Sequence, residues 1–401
     1  MLEKLVQHLP KKEFTILTGA RQTGKSTLLK QLEKHCVAEN IPVVFLNFEF
    51  KNLLADLDDN PLNLLNYLPQ TTAKKVVLID EVQYLKDPTN FLKLLYDEHA
   101  ADIKIIATGS SAFYMDDKFN DSLAGRKRIF TLLTCSFDEY LELLERPDLL
   151  AEKTRITANP KAKSTQIGYL KNEWDNYMIY GGYPAVITER DFKEKQARLR
   201  ELRDSFVKRD ILEAGVQNET VFYQLFRLIA SQTGGLININ ELATTLKVRN
   251  ETIASYLYVM QKCFHIALVK PFFKNLRKEL VKMPKAYLLD SGLRNCLINN
   301  FQPIATRLDK GELWECVNYK LLAEKHSFDD IKFWRTADGN EVDFVLPESE
   351  SPYAIEVKFD ELQAKVSKYQ KFLEGYPEID FQFSYYNNFN EGFFRRIHQS
   401  Y

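Results

Sequence analysis

Gly19-Ala20-Arg21-Gln22-Thr23-Gly24-Lys25-Ser26 sets glycines, a lysine and a hydroxyl at the spacing G-x4-G-K-[ST]. Those residue types suit a polyphosphate. Glycines let backbone N–H groups converge on phosphate oxygens, and a helix start adds roughly half a positive charge. In such a loop a lysine at the Lys25 position reaches the β- and γ-phosphates, and the Ser26 hydroxyl ligates Mg²⁺. The flanks agree, because residues 13–18 (EFTILT) read as a strand and residues 27–32 (TLLKQL) as the first turns of a helix. Gly19 through Thr27 is therefore expected to bind the phosphates of a nucleotide.

Residues 75–81 (KVVLIDE) run from apolar residues into paired carboxylates. A continuous apolar run reads as a parallel strand buried on both faces, and ligands gather at the C-terminal ends of such strands. Asp80 is expected to hold the Mg²⁺ shell and Glu81 to polarise an attacking water, which is what a hydrolase needs beyond a binder. A further buried strand at 102–109 (DIKIIATG) ends beside Thr108, Ser110 and Ser111. Ser110 is the favoured contact to the terminal phosphate or the water, although a serine here serves equally well as the cap of a following helix. Arg126, within AGRKR, is a candidate arginine finger in its own subunit or a neighbour's, or else a surface arginine.

The last hundred residues carry another constellation. Residues 341–346 (EVDFVL) and 354–359 (AIEVKF) alternate with period two and are joined by a Pro- and Ser-rich loop that suits a hairpin. Asp343 shares a face with Glu341, and Glu356 with Lys358. The helical stretch 313–325 upstream adds Glu315. Clustered carboxylates can hold Mg²⁺ and a lysine can orient water at a phosphodiester. The plain alternative is the polar side of half-exposed strands.

The elements that must position these residues fall into segments. Residues 1–150 have the strand–loop–helix rhythm of an α/β nucleotide domain, with a further strand at 42–49 and a helix at 91–99. Ser136 and Glu139 form a capping-box pattern. Residues 145–164 are polar and read as a linker. Residues 165–235 read as a helical lid or connector containing Gly181-Gly182-Tyr183-Pro184, where Pro184 either meets a nucleotide base or simply follows a helix stop. Residues 236–300 outline a winged helix: short helices at 241–246 and 250–262, then β-rich runs at 265–273 and 286–290 about a basic segment. Arg249, Asn250, Thr252, Lys274, Arg277, Lys278 and Lys282 are its DNA-contact candidates; a lid or protein-contact module is the alternative. Residues 301–401 form a final α/β domain.

Composition narrows the class. The 401 residues suit several domains, and 45% hydrophobic content supports ordinary cores. No run approaches the roughly eighteen apolar residues of a bilayer helix, so no membrane partner is expected. Five widely spaced cysteines without a C-x-x-C pair suggest reduced thiols and a cytoplasmic location, with neither a disulfide framework nor zinc. A net charge of −1 means that any nucleic acid would have to meet a local patch.

Taken in order, these parts resemble a family of bacterial and archaeal AAA-type P-loop ATPases with a C-terminal domain of unassigned function. The matching positions are 19–27, Asp80-Glu81, 108–111, Gly125-Arg126, 181–184, Arg209-Asp210, 285–290 and 341–358. The resemblance implies an α/β P-loop NTPase domain with a parallel sheet. A helical lid and winged-helix region would follow, then an α/β core like that of restriction endonucleases. It further implies ATP as nucleotide and Mg²⁺ as metal. It implies no settled substrate, and two uses compete. In one, ATP switches the C-terminal domains to engage a protein partner or a second copy. In the other, ATP gates DNA binding or a nuclease built from Glu315, Asp343, Glu356 and Lys358.

Overall fold

The computed structural model describes residues 1–109, 123–159, 161–273 and 283–386. The chain divides into two compact units, Met1–Leu133 with Lys262–Phe264, and Thr134–Gln261 with His265–Tyr401. The first boundary falls at residue 133, not near 150. The reason is visible in residues 145–164, which are not a linker: Pro147–Ala158 is a helix with proline in its first turn and Leu149, Lys153 and Ile156 buried. Its polar composition hides a narrow inward stripe at helical spacing.

The first unit is a five-stranded sheet of β1 (Phe14–Thr18), β2 (Val43–Asn47), β3 (Lys75–Asp80), β4 (Ile103–Thr108) and β5 (Lys127–Thr131), in the order β2-β3-β4-β1-β5. Every pairing in it is parallel. Side chains alternate across the sheet as the pleat requires. Val77, Ile79, Ile105 and Ala107 pack into one apolar cluster. Val76, Leu78 and Ile106 pack on the opposite side against Leu28, Leu29 and Leu32 of the Lys25–Ala38 helix. Burial on both faces explains why β3 and β4 read as unbroken apolar runs. The C-terminal ends of β1, β3 and β4 lie side by side, which is where an open parallel sheet gathers its ligands.

The second unit carries helices, among them Phe137–Leu143, Ile167–Tyr180 and Lys310–Ala323, and a six-stranded mixed sheet. The Phe137–Leu143 helix starts with the expected capping box of Ser136 and Glu139. The sheet comprises β6 (Ile266–Pro271), β7 (Lys285–Leu288), β8 (Lys332–Arg335), β9 (Glu341–Leu346), β10 (Tyr353–Lys358) and β11 (Asp380–Tyr385), ordered β11-β10-β9-β8-β6-β7. β9 and β10 pair antiparallel, as the hairpin reading required, and β10 pairs parallel with β11.

The sheet crosses the expected division at residue 300. The Ile239–Leu246 and Asn250–Lys262 helices form as expected. β6 and β7, read as a separate wing, pair with each other antiparallel, but β6 also pairs in parallel with β8. β6 and β7 therefore share one sheet with β8–β11. Lys274, Arg277, Lys278 and Lys282 lie outside the described residues; Arg249 and Asn250 are exposed and Thr252 is half-buried. No helix among the described residues is long and apolar enough to cross a membrane. All five cysteines are free thiols.

Candidate functional site

The loop after β1 is built by backbone constraints. Gly19 has φ +149°, and a Cβ there would lie 2.2 Å from the Leu132 carbonyl oxygen, so only glycine lets the chain pass. Gly24 is left-handed at φ +99° and caps the Lys25–Ala38 helix, a conformation glycine adopts without cost. Lys25 is thus the first helical residue. It is buried, and its Nζ donates to the Gly19 and Ala20 carbonyls at 2.9 and 2.7 Å. Thr23 Oγ1 also donates to the Ala20 carbonyl, at 2.9 Å. Arg21 and Thr23 are buried, Gln22 and Thr27 exposed, and Ser26 half-buried in the first helical turn.

Asp80 ends β3 and is buried. The Thr108 hydroxyl, at the end of β4, donates to Asp80 Oδ1 at 2.5 Å and accepts the Glu81 N–H at 3.0 Å. Thr108 therefore joins both acids. Glu81 has φ +63°, a left-handed conformation that is strained for a side chain with a Cβ and is held here by that hydrogen bond. Its carboxylate accepts a hydrogen bond from Gln83. Burial raises the Glu81 pKa above the ordinary carboxylate value, against opposing pulls from Lys25 and Gln83. Sequence reasoning missed Gln83, two residues past the acid pair. It preferred Ser110, which lies outside the described residues, to Thr108. Thr108→Val should keep the strand but cut ATP turnover roughly 10-fold or more, by freeing both acids from their common anchor. Steady-state turnover at saturating Mg²⁺-ATP tests this; an unchanged rate would remove Thr108 from the site.

Arg126 does not join this group within its own unit. Its carbonyl accepts the Phe14 N–H at 2.9 Å, at the start of β1, whereas the phosphate loop follows the end of β1. At about 3.3 Å per residue these edges are on the order of 15 Å apart. The guanidinium is bonded to Asp97 at 2.7 Å. This register places Arg126 beside the start of β1, at the opposite end from its own loop. Pro184 opens the short Pro184–Ile187 helix of the second unit, half-buried. The preceding turn serves that unit's interior: the Gly182 N–H donates to Asp290 Oδ2 at 2.8 Å.

The C-terminal candidates do come together. Val357 N–H donates to Asp343 Oδ2 at 2.9 Å, and Asp343 N–H to Glu356 Oε2 at 3.3 Å. Lys358 is bonded to Glu356, whose Oε1 also accepts the Tyr369 hydroxyl at 2.8 Å. Burial, reinforced by Asp343, pushes the Glu356 pKa up to about 8. Glu315 is drawn into the same centre by a cation the sequence did not assign to it. Lys285, on β7, lies 3.2 Å from Glu315, 2.5 Å from Glu341 and 3.3 Å from Asp343. Among the described residues no group of His, Cys, Asp or Glu is arranged to hold a metal ion.

The chain matches a family model described as "AAA domain" over residues 11–141. Models described as "Domain of unknown function" match residues 171–303 (DUF8612) and 310–394 (DUF4143). An uncharacterized protein of Haemophilus influenzae is 26% identical over 371 residues, covering 90% of this chain and 86% of that protein. One of Methanocaldococcus jannaschii is 24% identical over 326 residues, covering 77% and 67%. Among solved structures, the Thermotoga maritima RuvB Holliday junction branch migration motor matches at 16% identity and a TM-score of 0.34, over 69% of this chain and 92% of that one. The phosphate loop and the three family models together make the chain an AAA-domain P-loop protein with C-terminal DUF8612 and DUF4143 domains, similar to uncharacterized bacterial and archaeal proteins.

Proposed function

We propose that the protein is a Mg²⁺-dependent ATP-binding and ATP-hydrolysing switch whose nucleotide state is passed to its C-terminal domains. The observation that carries this reading is the Asp80–Thr108–Glu81 arrangement, set at the strand ends beside a phosphate loop with Lys25 at a helix start. The residues fit the group they are to hold. The 14-residue Lys25–Ala38 helix begins at the loop, and the first turn of a helix turns backbone N–H groups without intrahelical acceptors toward an anion. The Ser26 hydroxyl and the buried Asp80 carboxylate are hard oxygen donors of the type Mg²⁺ takes. When bound, Mg²⁺ neutralises charge on the β- and γ-phosphates and fixes their orientation.

The chain's own residues supply the rest. Lys25 exchanges its carbonyl partners for phosphate oxygens. Thr108 holds Asp80 and the Glu81 backbone in register. Glu81 orients a water and accepts its proton, a task for which burial has already moved its basicity toward neutrality.

Lys25→Ala tests the reading most directly. A charge-assisted hydrogen bond to phosphate is worth up to about 3 kcal/mol, so ATP affinity should fall on the order of 100-fold, and turnover with it. Equilibrium binding of a fluorescent ATP analogue measures the first, with thermal unfolding as the check on folding. A folded Lys25→Ala chain that binds like the parent would overturn the assignment. Turnover with duplex and single-stranded DNA at rising salt then separates the partners, since phosphate contacts weaken steeply with salt. Salt-sensitive stimulation marks nucleic acid, and indifference favours a protein.

A further inference from the structure

The carboxylates of the C-terminal centre already have a cation. The Lys285 side chain is only 2% exposed, and an ammonium has three N–H donors and no acceptor. Its neighbours Glu315 Oε1, Glu341 Oε1 and Asp343 Oδ1 lie at 3.2, 2.5 and 3.3 Å. Each donor thus has a carboxylate oxygen within reach. Further donors crowd the same carboxylates. Glu315 Oε1 also accepts the Tyr287 hydroxyl at 2.5 Å, Glu341 Oε2 accepts Arg335 at 2.8 Å, and Asp343 Oδ2 accepts the Val357 N–H at 2.9 Å. Glu356 is shared between Lys358 and Tyr369.

A divalent ion at this centre would need those same oxygens at about 2.0–2.1 Å for Mg²⁺. It would have to stand where the Lys285 nitrogen stands, or beside it in a buried site where like charges repel strongly. Nor is the lysine a casual occupant. A buried ammonium survives only when paired and hydrogen-bonded, and its removal would leave the carboxylates facing one another unneutralised.

We infer that Lys285 is the resident cation of this centre, held in the position of a divalent ion, and that its presence excludes Mg²⁺ and Mn²⁺ from Glu315, Glu341 and Asp343. With β7 in the sheet, the C-terminal domain therefore performs no metal-dependent cleavage of phosphodiesters. Removing the Lys285 side chain creates a divalent-cation site where the parent has none.

The test uses the full chain without nucleotide, and Mn²⁺ as probe, read by loss of the free-ion electron paramagnetic resonance signal. Asp343→Asn in the parent should leave Mn²⁺ uptake unchanged. Lys285→Ala should gain an EDTA-reversible site at least roughly tenfold tighter than any in the parent, and Lys285→Ala/Asp343→Asn should lose it again. Plasmid DNA should stay unnicked by the parent in Mg²⁺ or Mn²⁺. Parent Mn²⁺ uptake or nicking that Asp343→Asn abolishes would overturn the inference, as would a folded Lys285→Ala chain with no new site. Should Lys285→Ala fold only when Mn²⁺ is added, the ion has replaced the ammonium and the inference stands. Should it fold under neither condition, the comparison of the parent with Asp343→Asn decides.

Discussion

On the proposed ATPase reading, Glu81→Gln should bind Mg²⁺-ATP as tightly as the parent and turn it over about 10²- to 10⁴-fold more slowly, the range that a positioned general base contributes. The amide keeps the shape and the bond from Gln83 but cannot take a proton. Because only basicity is lost, the effect should appear in kcat and leave binding intact. It also has a pH signature. The Glu81 pKa is raised by burial, so the base is lost as pH falls through a value above the ordinary carboxylate range near 4.3. Turnover should therefore decline on the acid side earlier than a solvated glutamate would cause, and the residual rate of Glu81→Gln should lack that limb. Single-turnover hydrolysis across pH, beside nucleotide affinity, measures both. Parent-like turnover in Glu81→Gln would remove the base from the scheme.

A second large effect belongs to stability. Asp309 accepts Arg307 through both oxygens, at 3.0 and 2.8 Å, and Arg294 at 2.8 Å, while both guanidinium side chains are almost wholly buried. Asp309→Ala leaves those charges unpaired in the second unit and should cost about 3–5 kcal/mol. Burial alone would raise the Asp309 pKa, but hydrogen bonds from Arg307 and Arg294 outweigh it and hold the carboxyl at about 2. A depressed folded-state pKa contributes stability above the unfolded value, and that contribution is lost as pH falls through the folded one. The linkage is on the order of 2 kcal/mol, present above about pH 4 and fading toward pH 2. Chemical denaturation should show a wide gap between parent and Asp309→Ala at pH 7 that narrows toward pH 3. A gap under about 1 kcal/mol at pH 7 would show that the guanidiniums find other partners.

The nucleotide half of the molecule was legible because its signals are local. Gly19 to Ser26 is contiguous, the apolar runs of β3 and β4 follow from burial on both faces, and the capping box needs only Ser136 and Glu139 three residues on. What stayed hidden depends on pairing across distance. Arg126 looked suitable by type, and only the register of β5 on β1 puts it at the far edge of the sheet. Lys285 read as the tail of a basic segment. Its neighbours in space, Glu315, Glu341 and Asp343, arrive from another helix and strand. The helix Pro147–Ala158 was missed because its buried face includes Lys153, a residue whose charge masks the stripe.

The parallel pairing of β6 with β8 has a bearing on how the protein can be dissected. The matched segments end at 303 and begin again at 310, inviting a cut between them, yet hydrogen bonds of one sheet run across that point. A fragment beginning near 310 would bare the flank of β8 as an open edge, a template for pairing with other chains. It would also leave Glu315, Glu341 and Asp343 without their ammonium. The two segments are thus better regarded as one folding unit, severed only at the expense of solubility.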